Sequence, residues 1–118
     1  MVFLRSSVPL RQTERAWRRS VIEYSARMGW VHWHDHALNV PSGCPNCRER
    51  IELPRTLDGW PDLWLVRAPR LIVVELKSER GRLTERQRTW LDLFRRCPGI
   101  EVYVWRPSNW PDVEVALH

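Results

Sequence analysis

Two carboxylates and one lysine stand at spacings that strand pairing would bring together. Glu75 and Lys77 end the apolar run Leu71–Lys77, and Asp62 comes directly before a second run, Leu63–Val66. Side chains alternate along a strand, so Glu75 and Lys77 share one face. A hairpin made of the two runs would place Asp62 beside Glu75. The sequence therefore predicts a pair of carboxylates with an ammonium group next to them.

Paired carboxylates, completed by backbone and water oxygens, are typical ligands of a hard cation such as Mg²⁺ or Mn²⁺. A cation there could polarise a bound phosphate and lower the pKa of a bound water. Lys77 could orient that water or offset the developing charge. It is the only lysine among 19 basic residues, and lysine is a compact charge whose pKa can be moved. The alternative interpretation is a plain salt bridge at a strand end.

Local patterns define the elements that must position these residues. Apolar residues recur at helical spacing in the first segment, and a capping box at Thr84–Gln87 opens a later helix. Ala68–Pro69 predicts a tight turn, hence an antiparallel hairpin. The strand–helix–strand unit that follows predicts a right-handed crossover between parallel strands, so the sheet is mixed. The predicted helices are about Leu10–Met28, Thr84–Arg96 and a short Pro111–Leu117; the predicted strands are Trp30–His34, Leu63–Val66, Leu71–Lys77 and Ile100–Trp105.

Length and composition predict one α/β domain over residues 1–118, with residues 35–58 as a loop insertion. No apolar run reaches the roughly 18–20 residues of a membrane span. The net charge of +5 favours an anionic partner such as nucleic acid. Three cysteines are too few for a disulfide scaffold, which favours the cytoplasm.

The segments GWPDL, IVVELKSERGRLTERQRTWLDLF and EVYVWRPSNW occur in this order and resemble the VRR-NUC domain. This is the virus-type replication-repair nuclease branch of the PD-(D/E)xK superfamily, and the chain is most similar to its small stand-alone, phage-type members. The resemblance covers about Thr13–Leu117, except for the loop insertion. It implies a restriction-endonuclease-like core of order α-β-β-β-α-β and a metal-dependent DNA nuclease. The expected substrates are junctions or flaps in phage-type replication, repair or recombination.

The resemblance also implies roles for single residues. Asp62 and Glu75 match metal ligands, the backbone carbonyl of Leu76 adds a third ligand, and Lys77 matches the catalytic lysine. Glu14 matches an acidic residue on the first helix that helps the metal site and the catalysis.

The resemblance to the family extends to further positions in the chain. Gln87 matches a glutamine on the helix behind the site, and His34 matches a supporting position. Arg18 departs from the family, whose members often carry Gln there. Glu23 is the other acid of the first helix; it lies nine residues from Glu14, so the two face nearly opposite sides, and Glu14 is preferred.

A separate motif, CPNC, lies in the loop insertion. Cys44 and Cys47 could supply half of a structural zinc site, with His34 and His36 as the remaining ligands, or with His32 in place of one of them. Two free thiols are the alternative. This motif carries the second functional hypothesis, a non-catalytic DNA-binding module with a zinc knuckle.

Basic and aromatic residues indicate which partners the protein could bind. Arg80, Arg82 and Arg86 follow the Glu75–Lys77 strand end and could hold a DNA backbone, although a solvated helix face is the alternative. Exposed tryptophans could stack on unpaired bases, while buried ones would be core. We expect a homodimer, as in small stand-alone relatives, in the cytoplasm of a bacterial or phage-infected cell. A third hypothesis is a protein-interaction subunit without DNA affinity.

Overall fold

The computed structural model describes residues 8–34 and 58–118, in which two helices cover one face of a mixed four-stranded sheet and a third helix lies on the other face. The predicted α-β-β-β-α-β order and the final short helix are confirmed. The loop insertion lies outside the described residues, apart from Asp58 at its end. The elements are α1 (Glu14–Arg27), β1 (Val31–His34), β2 (Leu63–Arg67), β3 (Arg70–Leu76), α2 (Glu85–Arg95), β4 (Ile100–Trp105), a 3₁₀ turn (Pro107–Asn109) and α3 (Trp110–Leu117).

The first helix begins later than predicted. Thr13 has extended backbone angles, and its hydroxyl accepts a hydrogen bond from the backbone N–H of Ala16 at 3.1 Å. A side-chain cap of this kind satisfies an otherwise unpaired amide and fixes where a helix starts. The start predicted near Leu10 is therefore wrong, and Glu14 is the first helical residue. The capping box of α2 is present as predicted, with Thr84 and Gln87 bonding each other.

Strand pairing explains how Asp62 comes level with Glu75. The strand order is β1-β2-β3-β4, with β2 antiparallel to β3 and β3 parallel to β4, as predicted. Leu63 lies opposite Val74, so the residues just outside this pair, Asp62 and Glu75, meet at the same end of the hairpin. The N–H of Lys77 donates to the Trp105 carbonyl at 3.0 Å, so the ladder continues one residue beyond β3.

Alternation along β3 divides its side chains between two environments. Ile72, Val74 and Leu76 face α1 and α3 and belong to the main core, to which the sheet also contributes Leu63 and Leu65. We call this side the α1 face. The helices contribute Trp17, Val21, Trp110, Val113 and Leu117.

The opposite side, the α2 face, carries Glu75 and a second, aromatic cluster. The ring of Trp64 contacts that of Phe94 on α2, with the centroids 5.1 Å apart. Trp60 packs edge-on against both Phe94 and Trp90. Trp33, by contrast, is 53% exposed. In the parts of the chain that are described, no helix combines the length and apolar character needed to cross a membrane.

Candidate active site

Glu75 is the buried centre of the polar cluster at the end of β3. Its side chain is almost fully buried, and its Oε1 accepts a hydrogen bond from Gln87 Nε2 at 3.0 Å. Its other oxygen, Oε2, is also buried and finds no well-oriented donor among the described residues. A buried carboxylate oxygen without a well-oriented donor is costly, so a cation or a water molecule beside this atom would stabilise the site.

Asp62 is held beside Glu75 by the backbone and by the turn that precedes it. The N–H of Leu76 donates to Asp62 Oδ2 at 3.2 Å. Gly59 has a φ of +82°, and a Cβ there would lie 2.7 Å from the carbonyl carbon of Arg86. Only glycine fits this contact, and it lets the turn before Asp62 pack directly on the start of α2.

Helix α2 therefore orients both carboxylates. Besides the Gly59 contact, Trp90 Nε1 donates to the Asp58 carbonyl at 3.1 Å and holds the same turn. Gln87, in the first turn of α2, bonds Glu75. The capping box that fixes the beginning of α2 thus also fixes the amide that orients Glu75.

Lys77 lies between two carboxylates. Its Nζ is 3.7 Å from Glu75 Oε1 and 3.9 Å from Glu14 Oε1, and its side chain is only 10% exposed. The following loop lies close to this group, since a Cβ on Gly81 would lie 3.3 Å from Glu14 Oε1 and 3.5 Å from Lys77 Cδ. The ammonium group is therefore fixed in place.

The charge balance of the cluster is shown by the pKa of Glu75. Burial and the nearby Asp62 carboxylate raise this pKa from the ordinary 4.5 to about 8, although Lys77 acts in the opposite direction. Burial and the Asp62 carboxylate thus favour the protonated form of Glu75 unless further positive charge is present. A bound divalent cation would supply that charge.

Few of the described side chains could ligate a metal ion at this cluster. Within residues 8–34 and 58–118, no three His, Cys, Asp or Glu side chains are grouped closely enough to hold a metal ion. A cation at Asp62 and Glu75 would therefore need backbone or water oxygens as well. Glu14 meets this cluster through Lys77.

The remaining predicted residues lie at different distances from the cluster. The sheet register places His34 opposite Leu63, the residue after Asp62, with its side chain on the α1 face. Glu23 is exposed on α1, in a shallow hollow lined also by Tyr24. His36, Cys44 and Cys47 lie outside the described residues, and the zinc prediction stays a prediction.

Arg18 contacts the site directly. Its Nη2 is 3.8 Å from Asp62 Oδ1, and its Nε is buried without a hydrogen-bond partner among the described residues. The position where related domains often carry Gln is thus a second cation beside the carboxylates in this chain.

Arg106 was not singled out by the sequence. Its Nη1 donates to the Ser78 carbonyl at 2.8 Å and also to the Gly81 carbonyl. The Ser108 N–H donates to Glu79 Oε2 at 3.0 Å in the same region. These contacts hold the loop that follows Lys77. The sequence signal for Arg106 was only its place within the segment EVYVWRPSNW.

The predicted DNA-binding arginines are exposed. Arg80 and Arg82 project from the loop after Lys77, and Arg86 on α2 is paired with Asp58 at 3.7 Å. A cleft of about 730 Å³ separates residues 10–13 from residues 78–80, and Arg11 and Arg80 are among its lining residues. The cleft is next in sequence to both Glu14 and Lys77.

Comparison with known proteins identifies the family of the chain through a family model. No curated protein and no solved structure matches the chain significantly. The family model described as the VRR-NUC domain matches residues 31–109, about two-thirds of the chain. The match includes Asp62, Glu75, Lys77 and Gln87 but begins after α1 and Glu14. Such a domain implies a nuclease function in DNA processing, and the chain belongs to the VRR-NUC domain family.

Proposed function

We propose that this nuclease is a Mg²⁺- or Mn²⁺-dependent deoxyribonuclease that hydrolyses phosphodiester bonds in structured DNA. One observation carries the proposal: the buried Glu75 lies beside Asp62 and Lys77 at the end of β3, and its buried Oε2 meets no well-oriented donor among the described residues. This is a position where a cation would lower the free energy of the site. A family of DNA-processing nucleases supplies the substrate class.

The donor chemistry fits a hard divalent cation. Asp62, Glu75 and the backbone carbonyl of Leu76 would hold it, with water completing the oxygen ligands. When bound, the cation supplies positive charge for the phosphate and lowers the pKa of a water molecule. The raised pKa of Glu75 in the metal-free protein means that cation binding would release a proton near neutral pH.

The side chains around the carboxylates have separate roles. Gln87 orients Glu75, and the Leu76 N–H orients Asp62, so both present their oxygens to one place. Lys77 orients the attacking water and offsets charge on the phosphate, with its ammonium group held by Glu75 and Glu14. Glu14 assists catalysis through this contact with Lys77.

The DNA lies on the basic surface next to the site. Arg80, Arg82 and Arg86 contact backbone phosphates, and the cleft beside Glu14 and Lys77 receives part of the strand. One subunit of 14.2 kDa grips little duplex, so a homodimer acts on junctions or flaps. The setting is the cytoplasm of a bacterial or phage-infected cell, in replication, repair or recombination.

The test is cleavage of end-labelled four-way junction, flap, single-stranded and duplex DNA in the presence of Mg²⁺, Mn²⁺ or EDTA. We expect cleavage of the junction or flap with either metal and none with EDTA. Asp62→Asn should abolish cleavage, while Glu23→Gln, at an exposed carboxylate of α1 away from the site, should not. Equal cleavage by Asp62→Asn and the unaltered protein would contradict the proposal.

A further inference from the structure

Three tryptophans form an open groove on the α2 face of the sheet. Trp33, Trp60 and Trp64 line a hollow of about 300 Å³ whose surface is almost entirely apolar. The rings of Trp60 and Trp64 are stacked, with centroids 5.5 Å apart and planes 16° apart. We call these three residues the tryptophan groove. Its described lining is aromatic, and Trp33 leaves it exposed to solvent.

The groove is rigid on one side and exposed on the other. Trp90 and Phe94 pack edge-on against Trp60, with centroids at 4.8 Å and 5.3 Å. Trp33, on the edge strand β1, is 53% exposed. Core packing accounts for Trp60 and Trp64 but leaves the exposure of Trp33 unexplained, since a large exposed aromatic carries a hydration cost.

The groove lies next to the two carboxylates. Trp60 and Trp64 flank Asp62, each two residues away in the sequence. Trp64 is paired with Val73, which shares its face of β3 with Glu75. From strand spacing, the Cα atoms of Trp64 and Glu75 are roughly 8 Å apart. A strand whose phosphate lies at the carboxylates would bring a neighbouring base to the groove.

Charge around the groove favours a nucleotide over an apolar partner. Arg86 is 64% exposed and pairs with Asp58, at the beginning of the turn that carries Trp60. The chain as a whole has a net charge of +5. Aromatic side chains beside a basic surface are the combination that binds unpaired bases, because each base stacks by its π face while cations hold the backbone.

We propose that the tryptophan groove holds an unpaired DNA base next to the phosphate bound at Asp62 and Glu75. The location of that phosphate rests on the proposed nuclease function. The groove then makes the enzyme select DNA with unpaired nucleotides beside the cleaved bond. Fully paired duplex cannot fill it, because its bases are stacked on each other.

The experiment compares two labelled strands of equal length and charge, an oligothymidine and its abasic analogue, by fluorescence anisotropy in EDTA at low salt. We expect the oligothymidine to bind about fivefold more tightly or better, because stacking contributes at this scale. Trp33→Ala should remove this preference and leave abasic binding unchanged, and Trp33→Phe should retain much of it. Val115→Ala, at another exposed apolar side chain on α3, is the matched control.

Several results would overturn the assignment. One is equal affinity for the two strands, and another is failure to bind either strand. A third is a lower protein mass in sedimentation for Trp33→Ala together with an equal loss of affinity for both strands. This result would make the groove an interface between copies of the chain. Binding in EDTA is independent of hydrolysis. A base preference without metal-dependent cleavage would refute the nuclease proposal alone, and cleavage without a base preference would refute the groove alone.

Discussion

The buried Glu75 carboxyl should make the metal-free protein less stable as the pH rises. Burial and the Asp62 carboxylate raise its pKa to about 8 in the folded state, against an ordinary value of 4.5. Between these two values the unfolded chain has lost its proton while the folded protein still holds it. The free energy of unfolding therefore falls across this interval and is unaffected below it.

The size of the effect follows from the two pKa values. At about 1.4 kcal/mol per pH unit, the interval sets an upper bound of roughly 5 kcal/mol. Glu75→Gln resembles the protonated form and keeps an oxygen that can accept from Gln87. The opposing effect of Lys77, which favours the ionised form, is already contained in the raised pKa. Relative to this variant, we expect the unaltered protein to lose about 2–4 kcal/mol between about pH 5 and pH 9.

Urea denaturation in EDTA at a series of pH values measures this difference directly. Other titrating groups are common to both proteins and cancel. Glu23→Gln, at an exposed carboxylate on α1, is the matched control and should parallel the unaltered protein. If the free energy of unfolding of Glu75→Gln changes with pH in parallel with that of the unaltered protein, the pKa of Glu75 is not raised in the folded state.

Three further perturbations test other parts of the account. Arg106→Ala should lower kcat/KM for DNA about tenfold or more, because the loop after Lys77 loses its hydrogen bonds, and Arg106→Lys should restore part of the activity; a loss of thermal stability with kcat/KM unchanged would make this contact structural only. Gly59→Ala should cost about 2 kcal/mol or more of unfolding free energy in urea, since φ is positive and the Cβ meets the backbone of α2; a neutral result would contradict the tight turn. Arg70 bonds Glu101 through two nitrogens at 2.7 Å and 2.8 Å and holds the pKa of Glu101 low. Glu101→Gln should therefore cost about 0.5–1 kcal/mol near pH 7, and this cost should disappear as the pH falls through the lowered pKa of Glu101, where the carboxylate takes up its proton; a cost that persists in acid would exclude the ion pair as its cause.

The sequence carried most of the fold because its signals were local. The Thr84–Gln87 capping box, the Ala68–Pro69 turn and the alternation of Leu71–Lys77 each act over a few residues. The start of α1 was predicted near Leu10, whereas the hydroxyl of Thr13 caps the helix and places its start at Glu14.

Part of the site was predictable for the same reason. A two-strand hairpin fixes which residues stand at its open end, so Asp62 and Glu75 could be paired before the fold was known. The contacts of Arg106 with Ser78 and Gly81 join residues more than twenty positions apart. No local spacing encodes such contacts. The same holds for the packing of Gly59 on α2 and for the approach of Arg18 to Asp62.

The most direct test of the account is the cleavage rate of a labelled four-way junction or flap in Mg²⁺ by the unaltered protein and by Lys77→Ala. Arg95→Ala, at an exposed cation near the end of α2, is the matched control. We expect Lys77→Ala to lose cleavage by a factor of about a hundred or more while DNA binding and folding persist. Cleavage by Lys77→Ala at the rate of the control would contradict the assignment of this site.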